Sequence, residues 1–395
     1  MKKSIIAIIV YFLLLHVLLP GAYYVYNGFI PIYSDFVSYP ALIKSFFLIS
    51  IPLIVSLLIL VILPKKEDVI APNIDGKPVT FLFYFSILLK LGILFSTGGF
   101  ASVIEGEANG TFSNYISLFF NPFTLLLVLL FVQKKRSNII MAVFFYVLSV
   151  TLSGSRSGII TIFFVFFIGF TFEVFKIYQK KLFNFLKFGI FLTPFVFVFA
   201  TKLRGVEEVF SLEFLINQIA GRISVLETSM LPVHYYDTNL NLDLFYDKFS
   251  FWNQLKLIID GIMPGQIFDF DVMPNNYYRA MFLGYSESFV FDNYMSVNLT
   301  LPIYLYMKYS YFSIIISIFY ILGFYKLVLF LKRYPLLVIM FLSVFYNILY
   351  FFDWNMVFSQ LYISFLTITF LKIFVLFRNA IYTDIIKNRV NEIKN

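Results

Sequence analysis

Long uninterrupted apolar blocks recur along this chain and constrain its fold more than any other feature. Most of the blocks are about 18 to 23 residues long, the length that a helix needs to cross a hydrocarbon core about 30 Å thick. In such a core only helices satisfy their backbone polar groups within one segment. Of the 395 residues, 60% are apolar and 13% are charged, against about 25% charged in soluble domains. The sequence therefore predicts an all-α, polytopic membrane helix bundle.

Ten blocks divide the chain into a bundle and one large loop. The predicted spans are 4–23, 41–63, 79–98, 115–133, 138–153, 158–175, 184–201, 309–331, 335–352 and 355–377. They give seven N-terminal spans within 1–201, a large external loop over 202–308, three C-terminal spans within 309–377 and a cytoplasmic tail over 378–395. The first block could also be a cleavable signal peptide, but it lacks a clear small-x-small cleavage site, which favours an uncleaved span.

Basic residues set the predicted orientation, because Lys and Arg accumulate in short cytoplasmic loops. Six basic clusters fall at alternate ends of the blocks: Lys2-Lys3, Lys65-Lys66, residues 134–136, residues 176–187, Lys332-Arg333 and the tail. This alternation predicts that both termini are cytoplasmic. The net charge of +8 is then mostly anchoring charge beside membrane lipids, and it needs no nucleic-acid partner.

The segment 202–308 breaks the pattern of short loops, and loops of this length are uncommon unless they are functional. It contains twelve acidic and seven basic residues, so it is acidic while the opposite face is basic. Apolar residues recur at intervals of three and four between 206 and 231, which predicts an amphipathic helix, and a shorter helix is predicted over 251–262. We therefore expect a small helical cap on the bundle.

The sharpest local motif is TLSGSRSG at residues 151–158, between the fifth and sixth predicted spans. Small residues let the backbone turn tightly, and hydroxyls with exposed N–H groups can cradle an anion. Arg156 adds a permanently charged fork suited to phosphate oxygens. An arginine near hydrocarbon is costly, which favours a function. The alternative is that Arg156 only snorkels to the interface.

This Ser-Gly-Ser-Arg-Ser-Gly turn, the short basic-flanked span after it and the long external loop resemble the Wzy family. Its members are bacterial O-antigen and capsule repeat-unit polymerases, related to the O-antigen ligases. The resemblance implies a glycosyltransferase of the bacterial cytoplasmic membrane, which works without a cofactor. It would transfer a growing glycan from undecaprenyl diphosphate to the non-reducing end of a new lipid-linked unit, with a chain-length regulator as a possible partner.

Such a transfer needs cations against the departing diphosphate and a base for the attacking hydroxyl. Arg156 and Arg222 are the expected cations, and Arg222 lies in GRISVLE, which resembles the family's loop arginine region. His234 is the expected base, because an imidazole titrates near neutral pH, and Glu227 is the alternative. The expected substrate-binding residues are Ser155, Ser157, Arg204, Arg279 and Lys90.

Several of these residues also have a structural interpretation. Arg204 lies four residues before Glu208 and can form a helical ion pair. Arg222 and His234 can simply be exposed, and Lys90, inside the third predicted span, can snorkel to the interface.

Metal and redox chemistry have weak support in the sequence. Asp269 and Asp271 form a D-x-D pair, but two loop carboxylates alone do not define a metal site, so we expect none. The chain has no cysteine, which excludes disulfides and thiolate metal sites.

Two other functions fit the same composition. An O-antigen ligase shares the donor and the overall plan but transfers glycan to lipid A-core. In a transporter or lipid-linked oligosaccharide flippase, Lys44, Lys90 and Asp353 would be pathway charges. Such a carrier is expected to show inverted repeats and charges at the midplane, whereas most polar residues of this chain lie in one loop.

Overall fold

The computed structural model describes residues 2–27, 38–64, 75–96, 119–133, 135–152, 216, 220, 223–238, 251–262, 268, 299–350 and 354–394. Regular structure in these residues is entirely helical, as predicted, and none of them lies in a β-strand. Helix α1 (Lys2–Phe12) continues through a π-helical turn (Leu13–Leu18) into α2 (Leu19–Asn27). The other helices are α3 (Tyr39–Ile62), α4 (Gly76–Ser96), α5 (Pro122–Val132), α6 (Arg136–Leu152), α7 (Leu226–Thr238), α8 (Phe251–Ile262), α9 (Leu301–Tyr309), α10 (Ser313–Phe330), α11 (Pro335–Tyr350) and α12 (Trp354–Lys394).

Among the described residues, five helical segments are long and apolar enough to cross a membrane. They are Lys2–Tyr26, Tyr39–Ile62, Gly76–Ser96, Leu301–Arg333 and Val357–Ile381. Two shorter apolar helices, Ser137–Leu152 and Leu336–Tyr350, accompany them. The described residues are therefore those of a multi-pass membrane protein, and their regular structure is all helical. The predicted spans at 158–175 and 184–201 lie outside the described residues.

Polar contacts join helix ends in the manner of an up-and-down bundle. At the start of α1, the Lys2 ammonium donates to the carbonyl oxygens of Val61 (2.9 Å) and Leu63 (2.5 Å), at the end of α3. Near the start of α4, the Thr80 hydroxyl accepts a hydrogen bond from the Gln133 amide, just after α5, at 3.0 Å. The first contact pairs the beginning of α1 with the end of α3, and the second pairs the beginning of α4 with the end of α5. The two helices of each pair are therefore antiparallel.

Helix α3 lies at the centre of the part of the bundle that includes α7. It packs against α1, α7, α9 and α10. Its buried face includes the small residues Ala41, Ser45 and Ser56, and α10 contributes Ser313 and Ser317. Small side chains let helices approach closely in a membrane, where burial of apolar surface does not drive helices together.

The C-terminal region differs from its predicted boundaries. Helix α12 continues through the predicted tail as one helix of 41 residues, or about 60 Å at 1.5 Å per residue, about twice the thickness of a hydrocarbon core. The helical segment before α11 starts at Leu301, earlier than the predicted span at 309–331. Its first part, α9, is buried from Leu301 to Met307.

Candidate functional site

The segment that holds both expected bases starts with a helix cap. Helix α7 begins after a break at residues 224–225, inside the helix predicted over 206–231. The Ser224 hydroxyl accepts hydrogen bonds from the N–H groups of Leu226 (3.1 Å) and Glu227 (3.4 Å), as a helix N-cap does. The prediction of one continuous helix is wrong here, because the capping serine starts a new one.

His16, in the π-helical turn between α1 and α2, joins this N-terminal helix to the segment at the start of α7. Its Nδ1 donates to the carbonyl oxygen of Ile223 at 2.6 Å, and its Nε2 lies 2.8 Å from the Tyr346 hydroxyl of α11. Because a carbonyl oxygen can only accept, Nδ1 carries a proton. The His16 side chain is fully buried. One imidazole therefore links the N-terminal helix, the residue just before the break that precedes α7, and α11.

Pro20 explains why the His16 backbone also binds this segment. In a regular α-helix the N–H of residue 20 would donate to the carbonyl of His16, but proline has no N–H. The N–H of Val225 donates to that carbonyl instead, at 3.1 Å. The helix is π-helical at this point, over Leu13–Leu18, and such turns are frequent at functional sites.

Glu227 places a carboxyl group inside the bundle. Its side chain is 0% exposed, and the Tyr24 hydroxyl donates to its Oε2 at 3.4 Å. Met230 and Val233, which follow it on α7, are also fully buried. Burying a carboxyl group is costly unless it is hydrogen-bonded. The first turns of α7 are therefore an integral part of the bundle.

The last turn of α7 is held by an ion pair with aromatic partners. The Lys44 ammonium lies 2.7 and 2.9 Å from the two carboxylate oxygens of Asp237. The Tyr306 hydroxyl donates to Asp237 Oδ1 at 3.0 Å. The same ammonium lies 4.9 Å from the ring centre of Tyr306 and 5.1 Å from that of Tyr311, within range of cation–π attraction. These four residues are called the Lys44 cluster below.

The expected site residues that the structure describes lie in different surroundings. His234 is exposed on α7, one turn before Asp237, whereas Glu227 is buried. Lys90 is half-buried on α4, which packs against α5, α6 and α12, a set of helices different from those that surround α7. The remaining expected residues lie outside the described residues: Ser155, Arg156, Ser157, Arg204, Arg222 and Arg279.

Within the described part of the chain, no three His, Cys, Asp or Glu side chains come together as metal ligands. Helix α7 instead carries an exposed imidazole (His234), a buried carboxyl group (Glu227) and the carboxylate of Asp237, which pairs with Lys44 of α3 beside two tyrosines. Comparison with protein-family models, with curated proteins and with solved structures found no match. The described fold therefore defines the class, an all-helical multi-pass membrane protein, and its site is interpreted from its own chemistry.

The sequence alone does not indicate the roles of His16, Tyr306 and Tyr311. One local signal was present for His16, since a proline follows it four residues later and leaves its carbonyl without the usual helical donor. The sequence suggests a role for Lys44 only as a pathway charge of a carrier. Its ion pair with Asp237 spans 193 residues of chain and leaves no local pattern.

Proposed function

We propose that this protein polymerises lipid-linked oligosaccharide repeat units. It transfers the growing glycan from undecaprenyl diphosphate to the non-reducing end of a new undecaprenyl-diphosphate-linked unit, at the external face of a bacterial cytoplasmic membrane. The observation that carries the proposal is the docking of α7 onto the N-terminal helices. This contact holds the segment after Arg222 against the bundle and leaves His234 exposed.

The proposed chemistry is an inverting glycosyl transfer. The acceptor hydroxyl attacks the anomeric carbon of the donor glycan, and the bond from that carbon to the diphosphate oxygen breaks. His234 takes the proton of the attacking hydroxyl, as a general base does. Arg156 and Arg222 stabilise the charge on the departing lipid diphosphate, with Ser155 and Ser157 as further donors.

The surroundings of the two expected bases favour His234 over Glu227. A base must come within hydrogen-bond distance of the hydroxyl that it deprotonates. His234 is exposed on α7, whereas Glu227 is 0% exposed and faces Tyr24. We assign Glu227 to positioning α7. Lys90, Arg204 and Arg279 stay in the proposal as donor-binding cations, on the basis of the sequence alone.

Reconstitution with a lipid-diphosphate-linked repeat unit tests this function. The purified protein is placed in liposomes and its products are followed on a gel as a ladder of longer lipid-linked glycans. We expect Arg156→Ala to abolish the ladder, and His234→Gln to slow elongation by about 100-fold or more. Arg378→Ala is the matched control. It also removes an arginine, but Arg378 pairs with Asp75 near the C-terminal end of the candidate span Val357–Ile381, on the predicted cytoplasmic side.

The same liposomes distinguish a polymerase from a ligase and from a carrier. Transfer of glycan to added lipid A-core without elongation would identify a ligase. Movement of the lipid-linked substrate across the bilayer without either transfer would identify a carrier. A full ladder from Arg156→Ala at normal expression would refute the assignment of Arg156 to the diphosphate.

A further inference from the structure

Three side chains of the Lys44 cluster are partly exposed, although they also contact one another. The side chains of Lys44 and Asp237 are 23% and 37% exposed. Tyr311 is 62% exposed, whereas Tyr306 is buried. Parts of the Lys44 and Asp237 side chains and the ring of Tyr311 are therefore exposed beside one another, whereas Tyr306 is buried behind them.

The backbone next to Tyr311 is strained. Ser310, between α9 and α10, has φ 51° and ψ −137°. Among the described residues it is the only one other than glycine with a positive φ. A side chain disfavours this conformation, and such strain tends to occur at binding sites and active sites. Here the strained residue directly precedes the ring that lies over the Lys44 ammonium.

The chemistry of the cluster selects a neutral ligand with hydroxyl groups. An anion would meet the Asp237 carboxylate, and a cation would meet the Lys44 ammonium. A sugar hydroxyl can donate to the carboxylate and accept from the ammonium. The apolar face of a sugar ring can pack on the exposed ring of Tyr311.

We propose that Lys44, Asp237 and Tyr311 form a subsite for a neutral sugar ring, the terminal acceptor sugar of the incoming repeat unit. The identity of the ligand as an acceptor sugar rests on the proposed function. The contacts that form the subsite are independent of it.

Binding without turnover tests the subsite. The probe is the soluble oligosaccharide released by mild acid from the lipid-linked repeat unit of the cells that naturally make this protein. Saturation-transfer NMR and calorimetry are performed with the full chain in nanodiscs. We expect Tyr311→Ala and Asp237→Asn each to weaken binding at least 10-fold. Phe312→Ala is the matched control, because it removes a neighbouring exposed ring and should leave binding unchanged.

The outcomes separate the subsite from the proposed function. If wild type elongates glycan while Tyr311→Ala and Asp237→Asn bind the probe normally, the subsite is wrong and the function stands. If the probe binds through Tyr311 and Asp237 but wild type does not elongate glycan, the polymerase proposal fails and the subsite stands. Competition by inorganic pyrophosphate would identify an anion site and overturn the subsite. Thermal melting of each variant shows whether it is folded, and Tyr311→Phe, which keeps the ring, should retain binding.

Discussion

The imidazole of His16 donates from Nδ1 to the carbonyl oxygen of Ile223 at 2.6 Å, across 207 residues of chain. The reverse contact runs from the N–H of Val225 to the carbonyl of His16. A buried backbone group without a partner is costly, so this pair of contacts stabilises the docked position of α7. Pro20 has no N–H, which leaves the His16 carbonyl without its usual helical donor and available to Val225.

We expect His16→Ala to destabilise the protein by about 2 to 4 kcal/mol, because it removes two hydrogen bonds of a buried ring and leaves a cavity. The chain contains one other histidine, His234, which is exposed and makes a matched control. Thermal unfolding in detergent should show a marked drop in Tm for His16→Ala and little change for His234→Ala. Equal melting temperatures would contradict the role assigned to His16.

Gly21 provides a second test of the docking of α7. A Cβ atom at this position would lie 3.4 Å from the Leu226 Cδ1 atom, whereas one at Gly92 would have no atom within 4 Å. Gly21→Leu should therefore overpack the contact and lower stability by about 1 to 3 kcal/mol. Gly92→Leu should be neutral or stabilising, because leucine favours a helix more than glycine does. If the two variants melt alike, the first helix and α7 are not in contact.

The sequence predicted helices where the signal is local. The helix expected over 251–262 is confirmed with the same bounds, and the apolar blocks located α3 and α4 to within a few residues. The break at Ser224 was missed because the apolar periodicity continues across it, although Ser224 and Glu227 have the spacing of a capping pair. The apolar block of the last predicted span ends at 377, just before Arg378. Charge ends a membrane span but not a helix, so α12 continues to Lys394.

Contacts between segments that lie far apart in the chain could not be predicted from the sequence. The ion pair of Lys44 with Asp237 and the tyrosine partners of that pair join three helices from different parts of the chain. A periodic pattern reports which face of a helix is apolar, but not which helix it meets. The polar contacts of α7 therefore became visible only in the structure.

Asp75 gives a prediction on pH dependence. Its carboxylate accepts a hydrogen bond from the Arg378 guanidinium at 2.9 Å, which lowers the pKa of Asp75 below its usual value. A carboxyl group with a lowered folded-state pKa stabilises the fold above its unfolded pKa, about 3.9, and loses that contribution as the pH falls through the folded value. The pair is exposed, so the effect is small.

Asp75→Asn tests this pair. At pH 7 we expect the Tm of Asp75→Asn to be slightly lower than that of wild type. This difference in Tm should shrink as the pH falls below about 4 and approaches the lowered folded-state pKa of Asp75. Melting curves of the two proteins at a series of pH values measure it. A difference that grows toward acid pH would show that the Asp75 carboxylate is not stabilised by Arg378.

The chain has no cysteine, so single introduced cysteines can report its orientation without background. The basic clusters predict that residue 65 faces the cytoplasm, and that residues 105 and 243 face the other side. A membrane-impermeant maleimide should therefore label Glu105→Cys and Asp243→Cys in intact spheroplasts, and Lys65→Cys only after permeabilisation. The unsubstituted protein is the control. Labelling of position 65 but not of 105 or 243 in intact cells would show that the orientation is the reverse of the predicted one. It would place the segment 202–308, and with it α7 and the proposed acceptor subsite, on the cytoplasmic side, where a polymerase acting outside the membrane could not use it.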